Sequence, residues 1–134
     1  MSGNFRQIEH TADIGIEVIA DTLEELFETA ARAIVSIISN ELPEPADKRS
    51  ASFSADDRES LLVDFLNEII YMASAEGWIT CSSSVSFKDD TVSAVFKGSE
   101  SEGGIDNEVK AATYHNLGIQ RPDRKWKARV YFDV

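Results

Sequence analysis

The stretch that decides the fold is WKARVYFDV, residues 126–134. Its apolar residues occupy every second position: Trp126, Ala128, Val130, Phe132 and Val134. A period of two predicts a β-strand with one face on the core and the other towards solvent. A second run of this kind, residues 14–20, directly follows Asp13 near the start of the chain. If the two strands lie side by side, Asp13 and Asp133 stand close together.

Two carboxylates at the ends of neighbouring strands are a candidate site for a divalent cation. Carboxylate and carbonyl oxygens are the ligands that Ca2+ and Mg2+ prefer, and Mn2+ accepts the same oxygen ligands. The pattern also allows Asp13 and Asp133 to be two solvated carboxylates without a ligand, because alternation alone does not say which strands are neighbours.

Length and composition predict one soluble cytoplasmic domain, residues 1–134. The 24 acidic residues outnumber the 13 basic ones, and this charge disfavours a free-standing nucleic-acid binder. The single cysteine, Cys81, excludes an internal disulfide and a cysteine-based zinc pair, as expected in a reducing compartment. No signal segment and no run of about 18 apolar residues is present, so no contact with a membrane is expected.

Two amphipathic helices are expected. Thr22, followed three residues later by Glu25, predicts a capping box at the start of the first helix. Asp56 and Glu59 repeat the pattern before the second helix, which is expected to end at Gly77. Each helix carries an apolar stripe with three- and four-residue spacing, typified by Leu26, Phe27, Ala30, Ile34 and Ile38 in the first and by Leu62, Phe65, Leu66 and Ile69 in the second.

The remaining segments favour strands. Residues 5–10 are short and mixed, and with the alternating residues 14–20 they fit two strands or one strand broken at residues 12–13. Residues 48–55 alternate, and residues 78–88 and 91–97 predict a hairpin that turns at Asp89 and Asp90. Residues 98–107 are polar and contain glycine, which predicts a flexible loop, and residues 108–119 favour a further strand. The expected fold class is α+β, with two amphipathic helices packed on a largely antiparallel sheet.

The sequence lacks the motifs that mark many enzymes. It has no phosphate-binding Gly-x-x-x-x-Gly-Lys loop, no His-Glu-x-x-His, no Gly-x-Ser-x-Gly and no dinucleotide-binding glycine pattern. With only His10 and His115, a three-histidine metal centre is excluded. These absences weaken the case for an enzyme. A metal-dependent phosphoester hydrolase that uses Asp13, His10 and Asp133 is the alternative.

Three further features remain, and two of them, Lys110 and residues 121–129, have both a functional and a structural interpretation. Lys110 could pair with the carboxylate site or reach a partner's phosphate, or be an ordinary solvated lysine. His115 is expected to be a hydrogen-bonded residue of the core or its boundary. Residues 121–129 hold five basic residues and one acidic residue, which could orient the protein on a partner. They could equally protect an edge strand from aggregation.

Four blocks of this sequence resemble archease. They are HTADIGI at residues 10–16, LLVDFLNE at 61–68, EVKAATYHNL at 108–117 and ARVYFDV at 128–134. The blocks occur in the expected order over essentially the whole chain. The resemblance implies the archease fold.

The resemblance also implies a function. Archeases assist RtcB-type RNA ligases in tRNA splicing by promoting GTP-dependent guanylylation of the ligase, which then turns over repeatedly. They are thus activators, and their contact with nucleic acid is indirect. A chaperone-like role towards a tRNA cytosine methyltransferase has also been proposed for the family.

The resemblance assigns roles to particular residues. It implies a metal site, commonly with Ca2+, formed by Asp13, Asp133 and the carbonyl of Val134. Lys110 matches the family's lysine for activating the ligase. We add His10 and His115 as candidates for residues that lie around the metal ligands without binding the metal themselves. The acidic loop at residues 99–107 lacks the histidine and basic residues frequent in relatives, so its contact with a partner stays open.

Overall fold

The computed structural model describes residues 3–10 and 13–134, except for the side chains of residues 9 and 10. Two α-helices and eight β-strands lie in these ranges. The helices are α1 (Leu23–Ile38) and α2 (Arg58–Glu76). In chain order, the strands are β1 (Asn4–His10), β2 (Asp13–Ala20), β3 (Asp47–Ser54), β4 (Trp78–Lys88), β5 (Thr91–Glu100), β6 (Ala111–Ala112), β7 (Gly118–Gln120) and β8 (Trp126–Asp133).

The strands form two antiparallel sheets. The larger has the order β1-β2-β8-β6, with β7 also paired to β8, and the smaller has the order β3-β5-β4. The α+β class and the two helices on antiparallel strands are confirmed, although the strands divide between two sheets. Both helices pack against both sheets, α1 on β2 and β4, and α2 on β4 and β6. One apolar core therefore joins the two sheets through the helices.

Aromatic side chains link the helices to the smaller sheet. The ring centroid of Phe27 in α1 lies 5.6 Å from that of Phe65 in α2 and 5.0 Å from that of Phe87 in β4. Phe65 also stacks on Phe96 of β5, with 5.7 Å between centroids. Such ring contacts stabilise a core beyond the area they bury. They anchor the smaller sheet, while β8 contributes Val130 and Phe132 from the larger one.

The helix caps agree with the sequence only in part. Thr22 caps α1 as predicted, because its hydroxyl accepts a hydrogen bond from the Glu25 amide at 3.1 Å. Glu25 does not complete the box, since its Oε2 has no hydrogen-bond partner among the described residues. At α2 the cap is Asp57 and not Asp56: Asp57 accepts from the Ser60 amide at 2.7 Å, and this bond lowers the pKa of Asp57. At the other end of α2, Gly77 adopts the predicted left-handed conformation.

Two segments differ from the sequence prediction. The strand predicted at residues 108–119 is wrong over most of its length, since only β6 and β7 are extended and Asn116 adopts a positive φ of 52° between them. The loop predicted from residue 98 begins later, because β5 continues to Glu100. The rest of that segment is held to the end of α1, where the amides of Asp106 and Asn107 donate to the carbonyl of Ile38 at 2.9 and 3.0 Å.

Candidate functional site

The register of the larger sheet brings Asp13 and Asp133 to one corner. Ile14 pairs with Phe132 in the β2–β8 ladder, and continuing this register by one residue sets Asp13 opposite Asp133. On the other side of β8, Ala111 of β6 pairs with Asp133. Side chains alternate between the faces of a strand, so both carboxylates lie on the face opposite the buried Phe132. We call this place, with Lys110 and Val134 beside it, the carboxylate corner.

Lys110 is attached to the carboxylate corner through its backbone. Its amide donates to the carbonyl of Asp133 at 2.8 Å. The side chain of Lys110 is exposed, and the ion pairs of the described residues do not include it. The backbone of Lys110 is thus next to Asp133, while its charged side chain takes part in none of these ion pairs.

Asn67 of α2 supports the corner and has no role in the sequence prediction. Its Oδ1 accepts a hydrogen bond from the Ala112 amide at 2.7 Å, which holds β6 against the helix. Thr113 adds two bonds to the carbonyl of Tyr131, from its amide at 2.9 Å and its hydroxyl at 3.1 Å. The LLVDFLNE block contains Asn67, but periodicity cannot show that a helical amide side chain serves a strand in another part of the chain.

The structure describes the backbone of His10 and the whole of His115. The backbone of His10 pairs with Asp13 across β1 and β2, while its side chain is outside the described atoms. His115 is exposed, so the prediction of a core or boundary histidine is wrong. Its ring centroid lies 6.0 Å from that of Tyr131, and its Nε2 is 3.3 Å from the side-chain Nδ2 of Asn116. Because the segment turns at Asn116 and is not a strand there, alternation does not bury His115.

The ring of Tyr131 lies over Gly15, one step along the sheet from the two carboxylates. A Cβ on Gly15 would stand 2.7 Å from Cε1 and 2.8 Å from Cδ1 of Tyr131. Real Cβ atoms essentially never approach so closely. Gly15 is therefore required by the ring that crosses it, and the ring in turn fixes the surface next to Asp13 and Asp133.

Replacing Gly15 by alanine is expected to displace the Tyr131 ring and to lower the free energy of unfolding by about 1–3 kcal/mol, as overpacking does. Urea denaturation measures the loss. Gly118→Ala is the matched control, because a Cβ there meets nothing within 4 Å. A Gly15→Ala protein as stable as the control would contradict the prediction.

A cluster of charges covers the same sheet face further along β2 and β8. The side chain of Glu17, 9% exposed, is 3.1 Å from Arg6 and 3.0 Å from Arg129, and Lys127 is 3.8 Å away. The hydrogen bond from Arg129, followed by Arg6 and Lys127, holds the pKa of Glu17 below its usual value in spite of burial. Glu17 thus engages two of the basic residues in the 121–129 stretch.

The structure corrects one interpretation of that basic stretch. β8 is paired on both sides, so its basic residues do not protect an edge strand. Lys125 pairs with Asp21 at 2.8 Å, while Arg121 lies over the ring of Trp126, 5.2 Å from the centroid. Arg58 lies 5.1 Å from the same centroid. Orientation on a partner stays a prediction.

Replacing Glu17 by glutamine is expected to lower the free energy of unfolding by about 1–2 kcal/mol at neutral pH, because the arginines lose their buried counter-charge. The pKa of Glu17 is lowered on folding from 4.5. Its stabilisation is therefore fully present above that value and is lost as the pH falls through the folded-state pKa. Urea denaturation should thus show the wild-type advantage shrinking between about pH 7 and pH 3. An advantage that stays constant, or one equalled by the exposed control Glu102→Gln, would contradict this assignment.

The donor atoms at the carboxylate corner suit a hard cation. Two carboxylates stand opposite each other on adjacent strands, and like charges in that position repel. The ion pairs of the described residues include neither Asp13 nor Asp133. No cluster of three or more His, Cys, Asp or Glu residues occurs in the described ranges, so further ligands would be backbone carbonyls, such as that of Val134, or water.

The comparison with known families decides the identity. The model of the archease protein family (MTH1598/TM1083) matches residues 5–134. The chain belongs to the archease family. Archease of Pyrococcus furiosus is 36% identical over 94% of this chain and 95% of its own length. Archease of Methanothermobacter thermautotrophicus is 34% identical over 97% and 98%.

Solved archease structures share the fold. The solution structure of Methanobacterium thermoautotrophicum protein 1598 is 33% identical, covers 97% of this chain and 98% of its own, and gives a TM-score of 0.80. The crystal structure from Thermotoga maritima, described as an archease and possible chaperone, is 26% identical with a TM-score of 0.69 and covers 96% of both chains. Among the described residues of our archease, no helix is long and apolar enough to cross a membrane.

Proposed function

We propose that this archease is a non-catalytic activator of an RtcB-type RNA ligase in the cytoplasm. In this role it promotes GTP-dependent guanylylation of the ligase and thereby multiple turnover in tRNA splicing. One observation carries the proposal beyond family membership: Asp13, Asp133 and Lys110 meet at the carboxylate corner, although they are far apart in sequence.

The chemistry of the corner suits a phosphate-transfer partner. Asp13, Asp133 and the Val134 carbonyl would hold a divalent cation, Ca2+ or else Mg2+ or Mn2+. When bound, such an ion supplies positive charge beside the nucleotide phosphates. The backbone of Lys110 is bonded to Asp133 and its side chain is exposed, so it could bring a second positive charge to a bound phosphate. The arrangement supports the activation of another enzyme's centre.

The decisive experiment is a multiple-turnover RNA ligation assay with and without this protein. We expect many joined products per ligase molecule with it and about one without it. In the same assay Lys110→Ala should stimulate about tenfold less than wild type, because one phosphate-neutralising charge is lost. Lys97→Ala, which removes an exposed lysine from the smaller sheet, is the control and should stimulate fully. Equal stimulation by both variants would count against a role for Lys110 in activating the ligase.

A chaperone-like role towards a tRNA cytosine methyltransferase is the second candidate. It is favoured by the description of the Thermotoga maritima relative as a possible chaperone. A pull-down with ligase and methyltransferase from the same organism separates the two: retention of the methyltransferase alone would replace our proposal.

A metal-dependent phosphoester hydrolase is the third candidate. The described residues bring only two carboxylates together at the corner, which is few for a catalytic centre. We expect this protein alone to release no product from a phosphoester substrate above the blank. Metal-dependent turnover that is lost in Asp13→Asn would establish an enzyme instead.

A further inference from the structure

A separate cleft lies between α1 and β4. It has a volume of about 370 Å3 and is lined by neither Asp13, Asp133 nor Lys110. This volume is within the range of small-molecule sites. The carboxylate corner and this cleft are thus different places on the protein.

The walls of the cleft are mainly apolar. α1 contributes Ala31 and Val35, both almost fully buried, while Phe5 of β1 and Leu42 of the loop after α1 stand at the exposed margin. A mostly apolar cavity with a few polar groups is the usual form of a small-molecule site. The remaining lining residues supply those polar groups.

Three polar atoms without partners belong to residues of this cleft. Among the described residues, Arg32 Nε, Thr80 Oγ1 and Ser83 Oγ are buried and have no hydrogen-bond partner. Thr80 as a whole is only 3% exposed. Buried polar groups in folded proteins are almost always satisfied by protein or by bound molecules. They flank the cleft on both sides, Arg32 on α1 and Thr80 and Ser83 on β4, and the guanidinium is the group among them that recognises a charged ligand.

Arg32 brings a positive charge to the cleft, and no carboxylate in the described part of the chain forms an ion pair with it. Its guanidinium donates to the Gly3 carbonyl at 3.1 Å and lies 6.0 Å from the ring centroid of Phe5. No carboxylate of the described residues lies within 4.0 Å of it. Among the residues whose side chains the structure describes, no aspartate or glutamate lines the cleft. A guanidinium binds carboxylates through paired N–H donors.

We propose that this cleft binds a small apolar molecule that carries a carboxylate, with the acid on Arg32 and the hydrocarbon between α1 and β4. The cleft continues along α1 to Ser39, seven residues or about 10 Å further along the helix axis. An acid of about eight carbons spans that length. The far end adjoins Glu41 and Glu44, so repulsion there directs the carboxylate to Arg32.

Cys81 makes occupancy measurable in the native protein. It is the only cysteine in the chain, it lines the cleft, and its thiol donates to the Pro43 carbonyl at 3.1 Å. Burial, and to a lesser extent the charge of Glu44, raises the pKa of the thiol, so alkylation is slow enough to follow. The thiol serves here as a reporter.

The experiment is alkylation of Cys81 by iodoacetamide with increasing octanoate, the probe ligand. We expect octanoate to slow alkylation at least fivefold at saturation. Octanol and octylamine should need about tenfold higher concentrations, since octanol brings no negative charge to Arg32 and protonated octylamine brings a positive one. Two-dimensional NMR should show shifts at Val35 and Thr80 over the same octanoate range.

Variants test the two halves of the cleft separately. Arg32→Gln should weaken octanoate protection about tenfold. Arg49→Gln, the control, removes an arginine that also lies over an aromatic ring, Trp78 at 4.5 Å, but is paired with Glu76 at 2.7 Å. It should leave protection unchanged. Val35→Trp should fill the cleft, slow alkylation without ligand and abolish the response to octanoate.

Several results would overturn the proposal. They are equal protection by octylamine, wild-type protection in a folded Arg32→Gln protein, and no protection by octanoate with no NMR shifts. Stronger protection by a tripeptide with a free apolar C terminus would assign the cleft to a polypeptide and would also overturn it. None of these results bears on ligase activation, which is measured with other residues.

Discussion

Replacing Asp133 by asparagine is expected to reduce stimulation of ligase guanylylation by about a hundredfold, close to the unstimulated rate. Asparagine keeps the size of the side chain and removes one of the two facing charges, so the divalent cation that we propose for the corner would lose a ligand. Loss of one preorganised electrostatic group at a phosphate-transfer centre has effects of this order. The measurement is the transfer of labelled GMP to the ligase with saturating variant protein.

The thermal stability of the same variant tests whether the corner binds a cation. In EDTA the Asp133→Asn protein should unfold at a higher temperature than wild type, because the repulsion between Asp13 and Asp133 is removed. Excess Ca2+ should stabilise wild type and not the variant, since a ligand of the folded state raises its stability. Asp123→Asn is the control for charge, because Asp123 is an exposed carboxylate outside the corner whose positive φ suits asparagine. Full stimulation by Asp133→Asn would disprove the role of the corner.

Replacing Gly98 by alanine is expected to be the most destabilising single methyl addition in the described part of the chain. Gly98 lies inside β5, buried between the strands that flank it. A Cβ there would overlap the backbone carbonyl oxygen of Ile79 and stand 3.0 Å from Cη2 of Trp78. A backbone atom cannot move aside as a flexible side chain can. We expect a loss of about 3 kcal/mol or more in the free energy of unfolding.

Urea denaturation followed by circular dichroism measures this loss. Gly103→Ala is the matched control five residues later, because a Cβ on Gly103 meets nothing within 4 Å. The control should unfold as wild type does. If Gly98→Ala is as stable as Gly103→Ala, β4 and β5 are less closely packed at Ile79 than we describe.

Gly98 also shows where sequence reasoning reached its limit. A glycine among polar residues predicts a flexible loop, whereas here the glycine is required because Ile79 and Trp78 approach β5 closely. The helices and the hairpin from β4 to β5 were predictable, since their periodicity is local. The division into two sheets was not, because it depends on which strands become neighbours.

The candidate site, too, could be predicted from the sequence only in part. Alternation predicts that Asp13 and Asp133 share the outer face, but only the β2–β8 register makes them neighbours. The support from Asn67 and the crossing of Gly15 by Tyr131 are tertiary contacts without a local signal. In the segment of residues 108–119, the turn at Asn116 overrides a loose alternation that favoured a strand.

The shortness of β6 gives the carboxylate corner its own local stability. The strand is two residues long, and besides its short ladder with β8 few bonds hold this segment: Lys110 to Asp133, Ala112 to Asn67, and Thr113 to Tyr131. Such a segment can detach while the core stays intact, at a fraction of the free energy of global unfolding. A cation or partner bound at Asp133 would raise the cost of that opening. The β6 segment can therefore become more ordered when a cation or a partner binds. Its amide protons should then exchange with solvent quickly in the free protein and slowly in the complex.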